Sequence, residues 1–241
     1  MRIVFSRKGF DSAAGGGPSP IVDGRPLSLP IPAGAASRTT YADLGLGTLA
    51  EAASRGRVKP HDACHHDPMF TEGECLFGQC GAAQTHLANR GVGPGDAFVF
   101  FGLFRDGETG EPHHRIFGWQ RIERVVDLDS CGAAARADLA ALGHPHALEM
   151  HGRNDVVYRG PGGTARRASP ELRLTVTGGP PSLWRVPSWL RQTGLSYHDR
   201  PERWQRGNIL QSVARGQEFV AEIGKRKAPR TWLERLIASM D

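Results

Sequence analysis

Histidines and carboxylates crowd one stretch of this 241-residue chain. It opens with Cys64-His65-His66-Asp67-Pro68 and continues through Phe77-Gly78-Gln79-Cys80 to Gln84-Thr85-His86-Leu87. His65 and Asp67 stand two apart, so an extended loop presents both side chains on one side. Joined by His86 and His146, they make a nitrogen and oxygen donor set suited to a divalent iron, manganese or zinc ion. The expected metal set is therefore His65, Asp67, His86 and His146. His114 and His144 are further partners to consider. Carboxylates and imidazoles also carry protons, and Asp11, Asp67, His86 and His146 are the candidate catalytic groups. Cys64, Cys75 and Cys80 offer thiolates, at spacings that match no standard zinc finger. The structural alternative is Asp67 capping its own loop beside solvated histidines.

A second group follows the opening apolar run Ile3-Val4-Phe5. Ser6, Arg7 and Lys8 with Phe10 supply a hydroxyl, two cations and an aromatic ring, which suits a phosphate and a stacked base. Asp11 beside them can act as a general base or accept from a sugar hydroxyl. The glycine spacing of a P-loop is absent. Gln79 and Gln84 can read a base edge, and His86 falls seven residues after Gln79, back on its helical face. A solvated strand end and a helix face bonded into the core are the bland readings of these two groups.

These side chains need elements to hold them. Ala97 to Phe104 is the strongest strand signal, and Arg2 to Phe5 reads as the opening strand. Arg25 to Pro32 alternates among prolines, as an edge strand does. Helices are expected over Tyr41 to Ser54, Gln79 to Asn89, Ala133 to Leu142 and Pro229 to Met240. Arg115 to Val126 predicts a second core strand, and Asp155 to Tyr158 and Leu172 to Val176 predict short ones around a turn at Gly160 to Gly163. Strands from distant parts of the chain with interspersed helices give an α+β fold. The expected organisation is one domain over 1–241, with a core unit at 79–126 and a basic extension at 180–241 packed on it.

Charge and composition narrow the partners. The formal net charge is +5, from 30 Lys and Arg against 25 Asp and Glu, which permits a polyanion without demanding one. Arg200, Arg203, Arg206, Arg215, Lys225, Arg226, Lys227 and Arg230 make the last third basic, either as a solvated face or as one turned to DNA. Trp184 and Trp189 beside Arg185 and Arg191 read as core anchors or as base-stacking rings. The longest apolar stretch, Ala97 to Phe104, is too short to span a bilayer. The start lacks an apolar signal-peptide segment. The four cysteines are therefore expected reduced, in a cytoplasm.

The helix, the Gly93-Pro94-Gly95-Asp96 turn, the apolar strand and Ile116-Phe117-Gly118-Trp119 together resemble the small, partly open β-barrels of the PUA, ASCH and EVE group. That resemblance implies nucleic-acid binding, often to a modified base.

Over nearly its whole length the chain also resembles a bacterial and phage family, the nucleotide-modification-associated domain of the third class. The matching stretches include Phe5-Ser6-Arg7-Lys8-Gly9-Phe10-Asp11, Leu27-Ser28-Leu29-Pro30-Ile31-Pro32, His65-His66-Asp67-Pro68, Ala82-Ala83-Gln84-Thr85-His86-Leu87, His144-Pro145-His146 and Gly216-Gln217-Glu218-Phe219. The resemblance implies modification of nucleotides or of bases in DNA. Met69 departs from it, because a more acidic residue is usual after the His-x-Asp-Pro stretch. Two functions follow: an enzyme altering a nucleobase or nucleotide, or a non-catalytic reader of modified DNA or RNA.

Overall fold

The computed structural model describes residues 1–34, 36–148, 151–213 and 216–241. Its strands are β1 (Arg2–Arg7), β2 (Ser19–Val22), β3 (Arg25–Pro26), β4 (Met69–Phe70), β5 (Glu74–Gln79), β6 (Ala97–Arg105), β7 (Pro112–Arg121), β8 (Arg124–Asp127), β9 (Val156–Thr164), β10 (Leu183–Arg185), β11 (Trp204–Gln205), β12 (Ile209–Gln211) and β13 (Glu218–Glu222). Its helices are α1 (Gly47–Ala53), α2 (Gly81–Asn89), α3 (Ala133–Ala141), α4 (Ser188–Thr193) and α5 (Lys227–Ala238).

Ten strands join one mixed sheet in the order β13-β1-β6-β7-β9-β5-β4, with β2, β3 and β8 attached to its side. It curls into a half-barrel, and β10, β12 and β11 form a small second sheet. The fold is α+β, as the sequence predicts. Neither β1 nor β6 leaves a face to water. Ile3, Phe5, Val99 and Phe101 pack with Trp184, Leu210, Leu233 and Leu236 from the C-terminal third. Val4, Phe98 and Phe100 pack on the other face with Phe77, Phe117 and Tyr158. Burial on both faces explains the near-continuous apolar run of β6.

Several expected elements differ. The edge strand keeps only Arg25–Pro26, because prolines at 26, 30 and 32 remove ladder donors. The first helix starts at Gly47 rather than Tyr41, whose hydroxyl donates to the Pro30 carbonyl. The second core strand breaks at Ile122-Glu123 into β7 and β8. The Gly160–Gly163 segment is not a turn: β9 runs through it. There β7 crosses so closely that a Cβ on Gly160 would lie 2.1 Å from the Arg121 carbonyl oxygen. Leu172 to Val176 makes only the bridges Arg115↔Arg173 and Thr175↔Trp184. Trp184 and Trp189 are buried in the core, so neither presents a ring to a base. Arg215, in the basic stretch, lies outside the described residues. Among the described residues no helix is long and apolar enough to cross a membrane.

Candidate active site

Three imidazoles from two segments converge beside β5. His65 arrives on a loop pinned by backbone bonds: its N–H donates to the Ile31 carbonyl of a separate segment and its carbonyl accepts from the Asp67 N–H, both at 2.8 Å. His146 sits on a 3-10 turn at Pro145–Leu148 that follows α3, and His151 lies just beyond. One ligand-competent atom from each of His65, His146 and His151 lies within 4.8 Å of the others. His65 Nε2 and His151 Nε2 are 2.9 Å apart. The His146 and His151 rings lie 4.1 Å apart, centroid to centroid.

Gly78 is the floor under this cluster. A Cβ there would lie 2.1 Å from His146 Cδ2, so the ring rests against bare backbone. Asp155, just before β9, bonds His146 Nδ1 and so turns Nε2 toward the other imidazoles. A carboxylate behind a histidine is the usual support of a metal-bound imidazole. Asp67 stands alongside: its Oδ2 is 3.8 Å from His146 Nε2, its Oδ1 is 3.7 Å from His144 Nε2, and the Gly78 N–H donates to Oδ1 at 2.8 Å.

Burial sets the charge states. It pulls His65 down to about 3, assisted by its neighbouring imidazoles and Lys8. It lowers His146 and His144 in the same direction. Neutral imidazole is the form that binds metal. Burial also raises Asp67 to about 7, against the opposing pull of Lys8 and the Gly78 N–H. Asp155 is raised for the same reason, with His151 opposing.

A second polar network closes the cavity wall. Ser6 Oγ (3.0 Å), Lys8 Nζ (3.0 Å) and Gln79 Nε2 (2.7 Å) all donate to one oxygen of Glu218, Oε1. Lys8 also sits 4.3 Å over the Phe77 ring. The β1 pleat explains the grouping, because Ser6 shares a face with Val4, while Ile3 and Phe5 point the other way. The cavity between the two networks has a volume of about 460 Å³. His65, Asp67, Gln79, His146 and His151 line it, together with Arg7, Lys8 and Asp11.

The structure brings together His65, Asp67 and His146 of the expected metal set, and leaves His86 out. His86 Nε2 bonds Ser196 Oγ at 3.0 Å, and its ring stacks on Tyr197 instead. Seven residues after Gln79 is not one helical face here, because Gln79 ends β5 and α2 begins only at Gly81. His114 is buried on the opposite side of the sheet, its Nδ1 accepting from Trp184 Nε1. Of the expected substrate-binding residues, Ser6, Lys8 and Gln79 meet at Glu218. Arg7 is turned to the other face, over the Phe101 and Phe219 rings, and donates to the Val213 carbonyl. Phe10 is fully buried against Tyr41 and cannot stack on a ligand. Gln84 accepts from the Tyr158 hydroxyl, away from the cavity. Asp11 Oδ1 accepts from the Ala13 and Ala14 N–H groups, both at 2.8 Å, so it holds its own loop. Cys64 and Cys75 are buried apart from each other, in separate core clusters. All four cysteines are free.

His151, Asp155 and Glu218 were not among the residues the sequence singled out. Their signals exist: a His and an Asp flank the polar link His151-Gly152-Arg153-Asn154-Asp155, and a lone acid heads the apolar strand Glu218-Phe219-Val220-Ala221.

A half-barrel whose edge loops gather imidazoles and carboxylates around a cavity defines an α+β domain with a candidate site. The particular family is shown by sequence. The chain belongs to the family described as nucleotide modification associated domain 3, whose model matches residues 2–222. Membership ties the chain to nucleotide modification. No curated protein and no solved structure matches it.

Proposed function

We propose that this protein is a metal-dependent enzyme that modifies a nucleobase, in DNA or in a free nucleotide. The observation that carries the reading is the convergence of His65, His146 and His151 on one edge of an open cavity. Three neutral imidazoles suit zinc or ferrous iron better than manganese. His65, His146 and His151 would hold such an ion with a position left for water or substrate, and it would supply Lewis-acid chemistry there. Asp67, raised toward neutrality and 3.8 Å from His146 Nε2, is placed to take or return a proton there. His86 is not part of this centre.

The cavity suits a base better than a phosphate. Of the two cations along it, Lys8 is already bonded to Glu218, and Arg7 donates to the Val213 carbonyl and lies over the Phe101 and Phe219 rings. Gln79 Oε1 accepts the Cys80 N–H while its Nε2 serves Glu218, so the network is rigid. A base in duplex DNA has to leave the stack to enter. Four free cysteines fit a reducing cytoplasm as the setting.

Elemental analysis of the purified chain tests the metal, with about one zinc or iron per chain expected. Mass spectrometry of nucleosides from DNA co-expressed with it is expected to show a new species. His65→Ala and His151→Ala lose both signals, while His86→Ala keeps the metal. A metal-free wild-type protein with unaltered nucleosides removes the enzyme reading. Selective binding of modified DNA by that metal-free protein would instead identify a reader.

A further inference from the structure

We propose that Tyr197, backed by His86, is a stacking shelf for a nucleobase at the rim of the cavity. The inference rests on the reading that the cavity receives a base, and it names where a second base or the base of an entering nucleotide lies.

Tyr197 is an unusual residue on three counts. Its ring is 48% exposed, while Trp184 and Trp189 are buried. Its backbone is left-handed, with φ of 66°, a conformation that a bulky L-residue rarely adopts. Its inner ring face is covered by the His86 imidazole, centroids 4.5 Å apart and planes 35° from parallel, and Phe219 packs edge-on at 6.3 Å. The outer face is left to solvent.

The strain is held in place by its neighbours. Ser196 N donates to the Val220 carbonyl at 3.0 Å, and Val220 N donates back to Ser196 Oγ at 2.8 Å. The same Oγ bonds His86 Nε2, so one serine ties the loop to both β13 and α2. His198 Nδ1 pairs with the Ser196 carbonyl at 2.8 Å. Backbone strain that surrounding contacts over-determine clusters at binding sites. Here it turns a large ring outward that could otherwise have packed inward.

The shelf adjoins the cavity. Gly216 lines the cavity wall, and a Cβ on it would lie 3.9 Å from Tyr197 Cδ2. Two exposed arginines lie close by in the chain: Arg200, three residues after Tyr197, and Arg90, four after His86 and paired with Glu222 at 3.6 Å. An exposed aromatic ring backed by a second ring is a platform on which an unpaired base stacks. The ligand is therefore a nucleobase face, from single-stranded DNA or from a mononucleotide.

The test uses the full chain and fluorescence anisotropy with a labelled single-stranded DNA 12-mer, with a deoxynucleoside monophosphate as competitor. Tyr197→Asn is the informative variant, because asparagine accepts the left-handed backbone and removes the ring. It is expected to keep or raise the melting temperature and to weaken binding about tenfold, whereas Tyr197→Phe binds as wild type. Equal weakening for the competitor assigns the shelf to a free nucleotide, and weakening for the 12-mer alone assigns it to a strand. Wild-type affinity of Tyr197→Asn for both probes overturns the shelf. If that protein still carries the metal that His151→Ala loses, the catalytic reading stands without it. A wild-type chain that binds neither probe also overturns the shelf, while the catalytic reading is judged by the metal and the nucleoside analysis.

Discussion

Replacing Gly78 with alanine tests whether His146 stands where the site needs it. Gly78 has no left-handed backbone, so the added methyl acts only through space. That methyl would lie 2.1 Å from His146 Cδ2, 2.4 Å from Cγ and 2.6 Å from Nε2. Carbon atoms rest about 3.5–4.0 Å apart, so the ring must retreat by at least about 1 Å. Metal–ligand distances tolerate about 0.2 Å. The ring has no slack, because Asp155 holds Nδ1 and Asp67 stands beyond Nε2. Supporting contacts alone are worth about 10–100-fold in metal affinity, so displacing a ligand should cost at least about 100-fold. The metal-free protein should also lose about 1–3 kcal/mol from overpacking. In a His146→Ala background the methyl enters vacated space, and that cost should vanish, leaving a coupling energy of similar size. Zinc titration against a competing chelator and urea unfolding of the four proteins supply the numbers. Gly78→Ala binding zinc within about threefold of wild type, with no coupling to His146, would refute the reasoning.

Lys8→Met leaves Glu218 buried without the cation on its Oε1, and should destabilise the chain by about 3–5 kcal/mol in urea. Adding Glu218→Gln should recover most of that loss. His114 is drawn down to about 3 by burial and by the Arg7 charge. The unfolded chain therefore binds this proton first, and the stability present above pH 6.5 is lost as pH falls toward 3. His114→Asn keeps an acceptor for the Trp184 N–H and should recover about 2 kcal/mol at pH 5, measured against wild type by thermal melts. A nucleoside without phosphate should compete for the cavity while inorganic phosphate does not. The reverse order in a competition assay would restore the phosphate grip.

The fold class was legible because its signals are local. A β-rich apolar run such as Ala97 to Phe104 and the amphipathic end of the chain declare themselves within a dozen residues. The candidate site was legible only in part, and the missing part has a physical cause. His65 and Asp67 share a loop, so their pairing is visible in sequence. The contact of His146 with Asp155 depends on how α3 and its 3-10 turn dock on β5, which periodicity does not encode. His86 was misplaced by an assumption that α2 continues back through Gln79. Arg7 was misgrouped because three consecutive residues on a strand cannot share a face. Glu218 reaches Ser6 through the β1–β13 pairing across 212 residues, and no local pattern announces a partner that distant.

On the proposed reading, that long-range carboxylate bears on which part of a nucleotide the cavity takes. A strand end bearing a serine, an arginine and a lysine is a phosphate site only if its cations are unspent. Glu218, 1% exposed, meets Ser6, Lys8 and Gln79 at a single oxygen. Asp67 adds a second carboxyl to the same wall. Apart from any bound metal, a phosphate dianion entering there would meet Lys8 already balanced by Glu218 and Arg7 turned onto the Phe101 and Phe219 rings. An uncharged base meets no such opposition, and it brings donors and acceptors for imidazole, amide and carboxyl alike. On the proposed reading the exposed arginines outside the cavity are the groups left for the backbone phosphates, with the base toward the imidazoles.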